Sequence, residues 1–262
     1  LGIAAFRWGG EALHGLCSLG RATVFPMPVG MGATFDVNLV RRMAAATADE
    51  ARARHHDPRW RGPGGPRVGL AFWSPVINIV RDPRWGRAQE SYGEDPVLNG
   101  KLGAAFVRGM QGTHRRYLKT AACAKHLAVA SGPESVRHSF DARASRKDML
   151  ETYLPAFREL ARAGVACVMA TYNRVNGQHC CAHPFLLDEV LRGRYGFRGF
   201  VVSDGGALGS LHRGHGLTRD AEETAALCLA AGCDLEIGSE AYPHLEQVVR
   251  DGRASEEDLD RS

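Results

Sequence analysis

Arg87, Lys125, His126, Tyr172 and Asp204 lie far apart in the sequence, yet each stands just after an apolar, strand-like run. The sharpest instance is Gly199-Phe200-Val201-Val202-Ser203-Asp204-Gly205-Gly206, where a short apolar run ends in a carboxylate and two glycines. The glycines permit a sharp exit and the close approach of a ligand. A carboxylate beside lysine and arginine is favoured in its ionised form. It could attack an electrophilic carbon while the Lys, His and Arg donors bind neutral hydroxyl groups. Such a set suits a polyhydroxylated ligand, with Trp8, Trp73 or Trp85 offering an apolar face to a sugar ring.

Each residue also has a structural reading. Asp204 can be a turn or helix cap, and Lys125 one half of an ion pair. His126 can be a satisfied near-core histidine, and Tyr172 a packed aromatic with its hydroxyl bonded. Lys125 admits a further chemistry, Schiff-base formation, because desolvation near an arginine lowers a lysine pKa.

The elements that must position these groups alternate between strand-like and helical patterns. Gly2–Phe6 is an apolar run leading to Arg7, Trp8 and Glu11; Glu11 fits either a ligand rim or the favourable end of a helix dipole. Thr23–Phe25 is a second short run. Val37–His56 and Val97–Met110 carry helical periodicity, separated by a polar Pro/Gly excursion over Asp57–Pro66 and by strand-like Val68–Trp73 and Val76–Val80. Thr120–Lys125, Val165–Ala170, Gly199–Val202 and Cys233–Ile237 read as further strands, the apolar character of Gly199–Val202 suiting a parallel strand covered on both faces. Arg146–Arg162, with Ser145 as N-cap, Pro184–Leu191, Asp220–Ala231 and Tyr242–Asp251 read as helices. Repeated βα units over 262 residues predict an α/β fold, a TIM-type (β/α)8 barrel or a slightly irregular or incomplete version of it. About seven strands are legible, short of a clean eight. Residues 1–262 are expected to be a single barrel domain, whose parallel strands carry the polar residues to one mouth.

Composition narrows the classes. Apolar residues at 44% and charged residues at 24% describe an ordinary globular chain, and a net charge of +4 spread over helical faces gives no case for nucleic acid binding. No apolar run approaches membrane length, and the N-terminus carries no signal-peptide pattern. Cys123, Cys167 and Cys228 read as small core residues, and Cys180-Cys181 as a loop pair without a second pair at zinc-site spacing. A Gly-x-Gly-x-x-Gly fingerprint after a strand is absent, which lowers nucleotide binding.

A family resemblance runs through the same residues. Asp82-Pro83-Arg84-Trp85-Gly86-Arg87, followed by Glu90 and Gly93-Glu94-Asp95-Pro96, resembles the signature loop of family 3 glycoside hydrolases. The likeness continues through Lys125-His126, Ser131-Gly132-Pro133-Glu134, Arg137-His138, Phe140-Asp141-Ala142, Tyr172-Asn173-Arg174-Val175-Asn176-Gly177 and Val202-Ser203-Asp204. This ordered combination is more specific than any one motif. Its flavour is that of the β-xylosidase and α-L-arabinofuranosidase branch, with much shared by β-glucosidases. The resemblance implies a retaining hydrolase of terminal β-linked sugars, with Asp204 as nucleophile. Glu11, Arg87, Lys125 and His126 would bind sugar hydroxyls, and Tyr172 would stand beside the nucleophile. Arg137 and His138 would complete or shape the pocket, and Glu90 would stabilise the signature loop.

The resemblance implies no cofactor and no metal. Expected partners are small oligosaccharides or glycosides, with no nucleic acid and no membrane; a secreted or periplasmic compartment is compatible with the family. The acid/base is expected from an α/β sandwich domain, absent from this chain and supplied by the same parent chain or another subunit. His138, Glu134 and Glu94 are weaker candidates for that role. The alternative reading is a sugar-binding fragment with impaired or no turnover.

Overall fold

The computed structural model describes residues 7, 9–17, 20–62, 65–66, 68–130 and 132–262. The expected strand Gly2–Phe6, together with Trp8 and Ser131, lies outside them.

A parallel sheet runs in the order Ala71–Phe72, Ala121–Leu127, Cys167–Ala170 and Phe200–Ser203. Cys167–Ala170 and Phe200–Ser203 pair in unbroken register, with Cys167 opposite Phe200 and Ala170 opposite Ser203, whereas the register between Ala121–Leu127 and Cys167–Ala170 shifts between Lys125 and Leu127. Side chains of Ala122–Leu127 and Cys167–Ala170 are buried on both faces, as expected for a parallel strand enclosed by other elements. The sheet is extended at both edges. Trp73 N donates to Gly10 O at 2.9 Å on one side, and Val202 bridges Leu235 in parallel on the other. Gly9, beside Gly10 at one edge, and Ile237, just after Leu235 at the other, line one small pocket with Trp73, Cys123, Cys167 and Val202. The sheet therefore curls on itself, giving an α/β fold of the irregular, incomplete TIM type.

The helices cover this sheet where the periodicity places them. Val37–His56 begins at Asp36, whose carboxylate accepts from Asn38 N and Leu39 N, and it packs on Pro96–Gln111. Close approach of the two is possible because position 109 is glycine: a Cβ there would stand 2.4 Å from Arg41 O. Asp220 caps Ala221–Ala230 by accepting from Glu223 N at 2.8 Å.

Other expectations are revised. Thr23–Phe25 is no strand, and Val24 is exposed. Val76–Val80 contributes only a bridge from Val76 to Lys125. The predicted helix Arg146–Arg162 is capped as expected, Ser145 Oγ accepting from Asp148 N at 3.0 Å. It passes through a π-helical turn at Met149–Tyr153 before Pro155–Arg162, because Pro155 has no N–H for the helical ladder. Pro184–Leu191 is helical as expected, the helix being of the π type and running over Phe185–Arg194. Asp57–Pro66 holds a short helical turn, Pro58–Trp60, and the paired segments Arg61–Gly62 and Gly65–Pro66.

A second small sheet escaped the sequence reading. Arg174–Val175 and Gln178–His179 form a hairpin whose two-residue turn, Asn176-Gly177, has φ of 52° and 91°. Two left-handed central residues are what a type I′ turn requires, and Asn-Gly favours it most strongly. Asp141–Ala142 adds a third strand in parallel to Arg174–Val175. This sheet ties the segment after Lys125-His126 to the segment after Tyr172.

Candidate active site

The strand ends converge as expected. Asp204 follows Phe200–Ser203, and its backbone N–H donates to Ala170 O at 2.8 Å, so the residue remains pinned to the neighbouring strand. Gly206, at φ 69°, then turns the chain into the helix Ala207–Arg213. The carboxylate is held asymmetrically. Gly205 N donates to Asp204 Oδ1 at 2.7 Å, while Oδ2 is shielded from solvent and has no hydrogen-bond partner. Asp204 Oδ2 lies 3.7 Å from His126 Nε2.

His126 and Lys125 come from the end of Ala121–Leu127 and point to two different networks. Lys125 Nζ meets Glu11 Oε1 at 2.5 Å, so the ion pair foreseen as a structural alternative does exist. An ammonium in that pair is a poor Schiff-base nucleophile, which argues against the lyase chemistry. Glu11 Oε2 accepts from Ser74 Oγ at 3.3 Å, and Ser74 Oγ accepts from Ala12 N at 3.1 Å. Burial raises the Glu11 pKa, with Lys125 pulling the other way.

Arg87 connects the signature loop to His126. Its Nε and Nη2 donate to the two carboxylate oxygens of Glu90 at 2.8 and 2.7 Å, and its Nη1 donates to His126 Nε2 at 3.1 Å. Burial works against the Arg87 charge, but the bond and field of Glu90 raise its pKa overall. The geometry corrects one expectation. His126 was expected as a donor to sugar hydroxyls, yet its Nε2 faces a group that can only donate. Burial, then the charges of Arg87, Lys125 and Arg137, lower the His126 pKa well below the ordinary value, so the ring is neutral.

The opposite wall is built on Tyr172, which is buried at the end of Cys167–Ala170. Arg137 Nη2 donates to Tyr172 Oη at 2.5 Å, its guanidinium carbon lies 4.5 Å from the ring centroid, and Nη1 donates to Glu134 Oε1 at 2.7 Å. His138 is exposed but leans on Tyr172, ring centroids 5.0 Å apart. Burial raises the Tyr172 pKa, and Asp204 adds to the rise. A narrow pocket is walled by Trp85, Arg87, His126, Arg137, Tyr172 and their neighbours. Trp85 therefore lines the mouth, whereas Trp73 lines the cavity deeper in the sheet.

The field on Asp204 also differs from expectation. Lys125, Arg87 and Arg137 lower its pKa, as does the Gly205 N–H, but desolvation outweighs them and the net shift is upward. The cations therefore moderate the rise without keeping the pKa at its ordinary value. Among the described residues, no three His, Cys, Asp or Glu side chains converge as a metal-binding group. Cys180 and Cys181, read as a loop pair, are free thiols buried in a short helical turn.

Two contributors went unrecognised in the sequence. Asn78 and Ser74 are buried polar residues in or beside apolar runs and make side-chain bonds to His126 and Glu11 respectively. A polar residue inside an apolar run, which needs a partner when buried, was the available signal.

Comparison with known proteins places the chain in a family. The model of the glycosyl hydrolase family 3 N terminal domain matches residues 3–262. A xylan 1,4-beta-xylosidase from Xylanibacter ruminicola is 42% identical over 267 residues, covering 100% of this chain and 31% of the relative. A beta-xylosidase/alpha-L-arabinofuranosidase from Medicago sativa is 38% identical, covering 100% of this chain and 35% of the relative. A β-glucosidase structure from Erythrobacter marinus aligns with a TM-score of 0.89 and 35% identity, over 99% of this chain and 33% of the other. A GH3 exo-beta-xylosidase solved with a xylobiose aziridine activity-based probe aligns with a TM-score of 0.88 and 32% identity, over 98% and 34%. The chain thus spans about a third of the length of the relatives it matches. With the signature loop, the strand-end cluster and the match over residues 3–262 in agreement, the chain belongs to glycosyl hydrolase family 3, in the region of its N-terminal domain.

Proposed function

We propose that residues 1–262 are the catalytic barrel of a retaining exo-glycoside hydrolase acting on terminal non-reducing β-linked sugars, with β-xylosides the preferred class. The observation that carries this reading is the state of Asp204: one oxygen is tied to Gly205 N–H, and the other is buried and unpaired beside His126. A bare carboxylate oxygen in a desolvated, cation-lined site is a competent nucleophile. The preference for xylosides draws on the relatives, which include a xylan 1,4-beta-xylosidase and β-xylosidase/α-L-arabinofuranosidases.

In the first step Asp204 Oδ2 attacks the anomeric carbon as the glycosidic bond breaks, and the leaving oxygen takes a proton from a second carboxyl group. In the second step that carboxylate takes a proton from water, whose oxygen attacks the anomeric carbon and displaces Asp204. Two inversions give retention, with the two carboxyl groups about 5–5.5 Å apart. Arg87, Lys125, His126 and Glu11 hold sugar hydroxyls in this scheme. Arg137 and His138 set the position of Tyr172 at the wall.

The second carboxyl is assigned to a sandwich domain beyond these residues. Glu134 is committed to Arg137, and Glu94 is exposed on the signature loop. The greater length of the relatives supports that assignment.

The test is to incubate the protein and its Asp204→Ala variant with a panel of activated aryl glycosides and map any covalent adduct by peptide mass. A glycosyl adduct on the peptide carrying Asp204, strongest with the xyloside and missing in the variant, is expected. Equal labelling of the two proteins refutes the assignment.

A further inference from the structure

We propose that Asn78 is a positioning residue that fixes His126 in its Nδ1-protonated form, so that Nε2 accepts hydrogen bonds and no proton lies between it and Asp204 Oδ2. This rests on the reading of Asp204 as nucleophile. The orientation of the Asn78 amide follows from its backbone partners. His126 N–H can only donate and stands 2.7 Å from one amide atom, which must be Oδ1; His126 O can only accept and stands 2.8 Å from the other, which must be Nδ2. The same Oδ1 lies 3.2 Å from His126 Nδ1, so Nδ1 carries the proton. The neutral ring then has its lone pair on Nε2, where Arg87 Nη1 donates at 3.1 Å. Asn78 thus reads both ends of His126, while its own carbonyl accepts from Ser91 Oγ at 2.6 Å, tying it to the signature loop.

The consequence reaches the reacting oxygen. Asp204 Oδ2 is 3.7 Å from His126 Nε2 and has no other partner. With the proton on Nε2, a small ring movement would hydrogen-bond that oxygen and blunt its nucleophilicity. With the proton on Nδ1, the oxygen stays bare, and a sugar hydroxyl reaching Nε2 must donate to it. Asn78 therefore protects the nucleophile through the tautomer of its neighbour.

The experiment uses the full chain with 15N-histidine labelling, the His126 ring signals being assigned by their loss in a His126→Gln sample. Long-range proton–nitrogen spectra of the wild type are expected to show Nδ1 protonated and Nε2 bare. Asn78→Leu is expected to move the proton toward Nε2 and slow Asp204 labelling by an activated aryl xyloside about tenfold or more. Asn78→Asp keeps both acceptor bonds but adds a negative charge to a ring already faced by Arg87 and Glu90, Lys125 and Glu11, Arg137, Tyr172 and Asp204. Its labelling rate is expected to be low in acid, where the ring gains a second proton, and to recover as pH rises. A merely structural role predicts a loss independent of pH. A wild-type ring protonated at Nε2, or wild-type labelling in a folded Asn78→Leu protein, overturns the proposal. If Asn78→Leu does not fold, the wild-type spectrum and the Asn78→Asp profile decide. A wild type that forms no Asp204 adduct defeats the nucleophile reading, while the spectrum still decides the tautomer.

Discussion

Replacing Glu90 tests whether the signature loop is held by its internal ion pair. Arg87 gives Glu90 two donors, at 2.8 and 2.7 Å, and the side chains keep only 23% and 15% of their exposure. Removing one partner of a fully buried pair costs about 3–5 kcal/mol, because the other charge is left desolvated. Partial exposure moves the Glu90→Ala variant to the lower end, about 3 kcal/mol. Glu90→Gln retains one acceptor for Arg87 and should cost about half of that. In a domain of this size 3 kcal/mol lowers Tm by roughly 6–10 °C. Urea denaturation of the wild type and both variants supplies the measurement. Asp82→Ala is the internal control: its pair with Arg84 is exposed, and its removal should leave stability within experimental error. The reasoning fails if Glu90→Ala is as stable as the wild type, or if the Gln and Ala variants lose the same amount.

Three further outcomes follow from the geometry. Because burial places the Asp204 pKa above its unfolded value, the native state holds its proton more tightly; stability therefore falls as pH rises through that interval, and the loss is complete above the folded pKa. Asp204→Asn should raise Tm at neutral pH while abolishing turnover, and the gain should disappear toward acid; a gain independent of pH in a series of melts refutes this. Gly206→Ala places a side chain at φ 69° and should cost about 1 kcal/mol in denaturant titrations, whereas Gly205→Ala, whose Cβ would stand 3.9 Å from Ile237, should be tolerated. Ser74→Ala leaves the Ala12 N–H without its partner and should cost about 1–3 kcal/mol, with weaker substrate binding as Glu11 loses a support, read by denaturation and by KM.

Much of this arrangement was legible because the relevant signals are local. The run Gly199–Val202 followed by Asp204 states both the strand and the place where it stops, and the structure pairs Phe200–Ser203 with Cys167–Ala170. Helix Val37–His56 was marked along its whole length by periodicity, and the structure adds Asp36 as its N-cap. Strand counts were harder. Val76–Val80 and Cys233–Ile237 have strand composition, yet each gives a single bridge, since β-propensity expresses itself only where a neighbouring strand supplies partners. The hairpin at Arg174–His179 was missed although Asn176-Gly177 announces it; its strands are so short that no alternating pattern surrounds the turn. The protonation pattern lay beyond the sequence altogether. His126 reads as a donor until Arg87 Nη1 and Asn78 Oδ1 are placed on its two nitrogens, and the Asp204 field reads as cationic until burial is weighed against it.

The partners share out the charge of this site in a way that bears on its selectivity. Glu11 is committed to Lys125 and Ser74, Arg87 to Glu90 and His126, Arg137 to Glu134 and Tyr172, and Asp204 Oδ1 to Gly205. Among the described residues, Asp204 Oδ2 is the single buried carboxylate oxygen left without a partner. A site wired in this way has little to gain from binding a free ion, whose charge would have to displace an existing pair. It has more to gain from a neutral ligand that brings hydroxyl groups to donors and acceptors already fixed in place and an electrophilic carbon to the one unpaired oxygen. If Asp204 is the nucleophile proposed above, preorganisation of this kind would favour a transition state in which positive charge grows at that carbon over the neutral ground state.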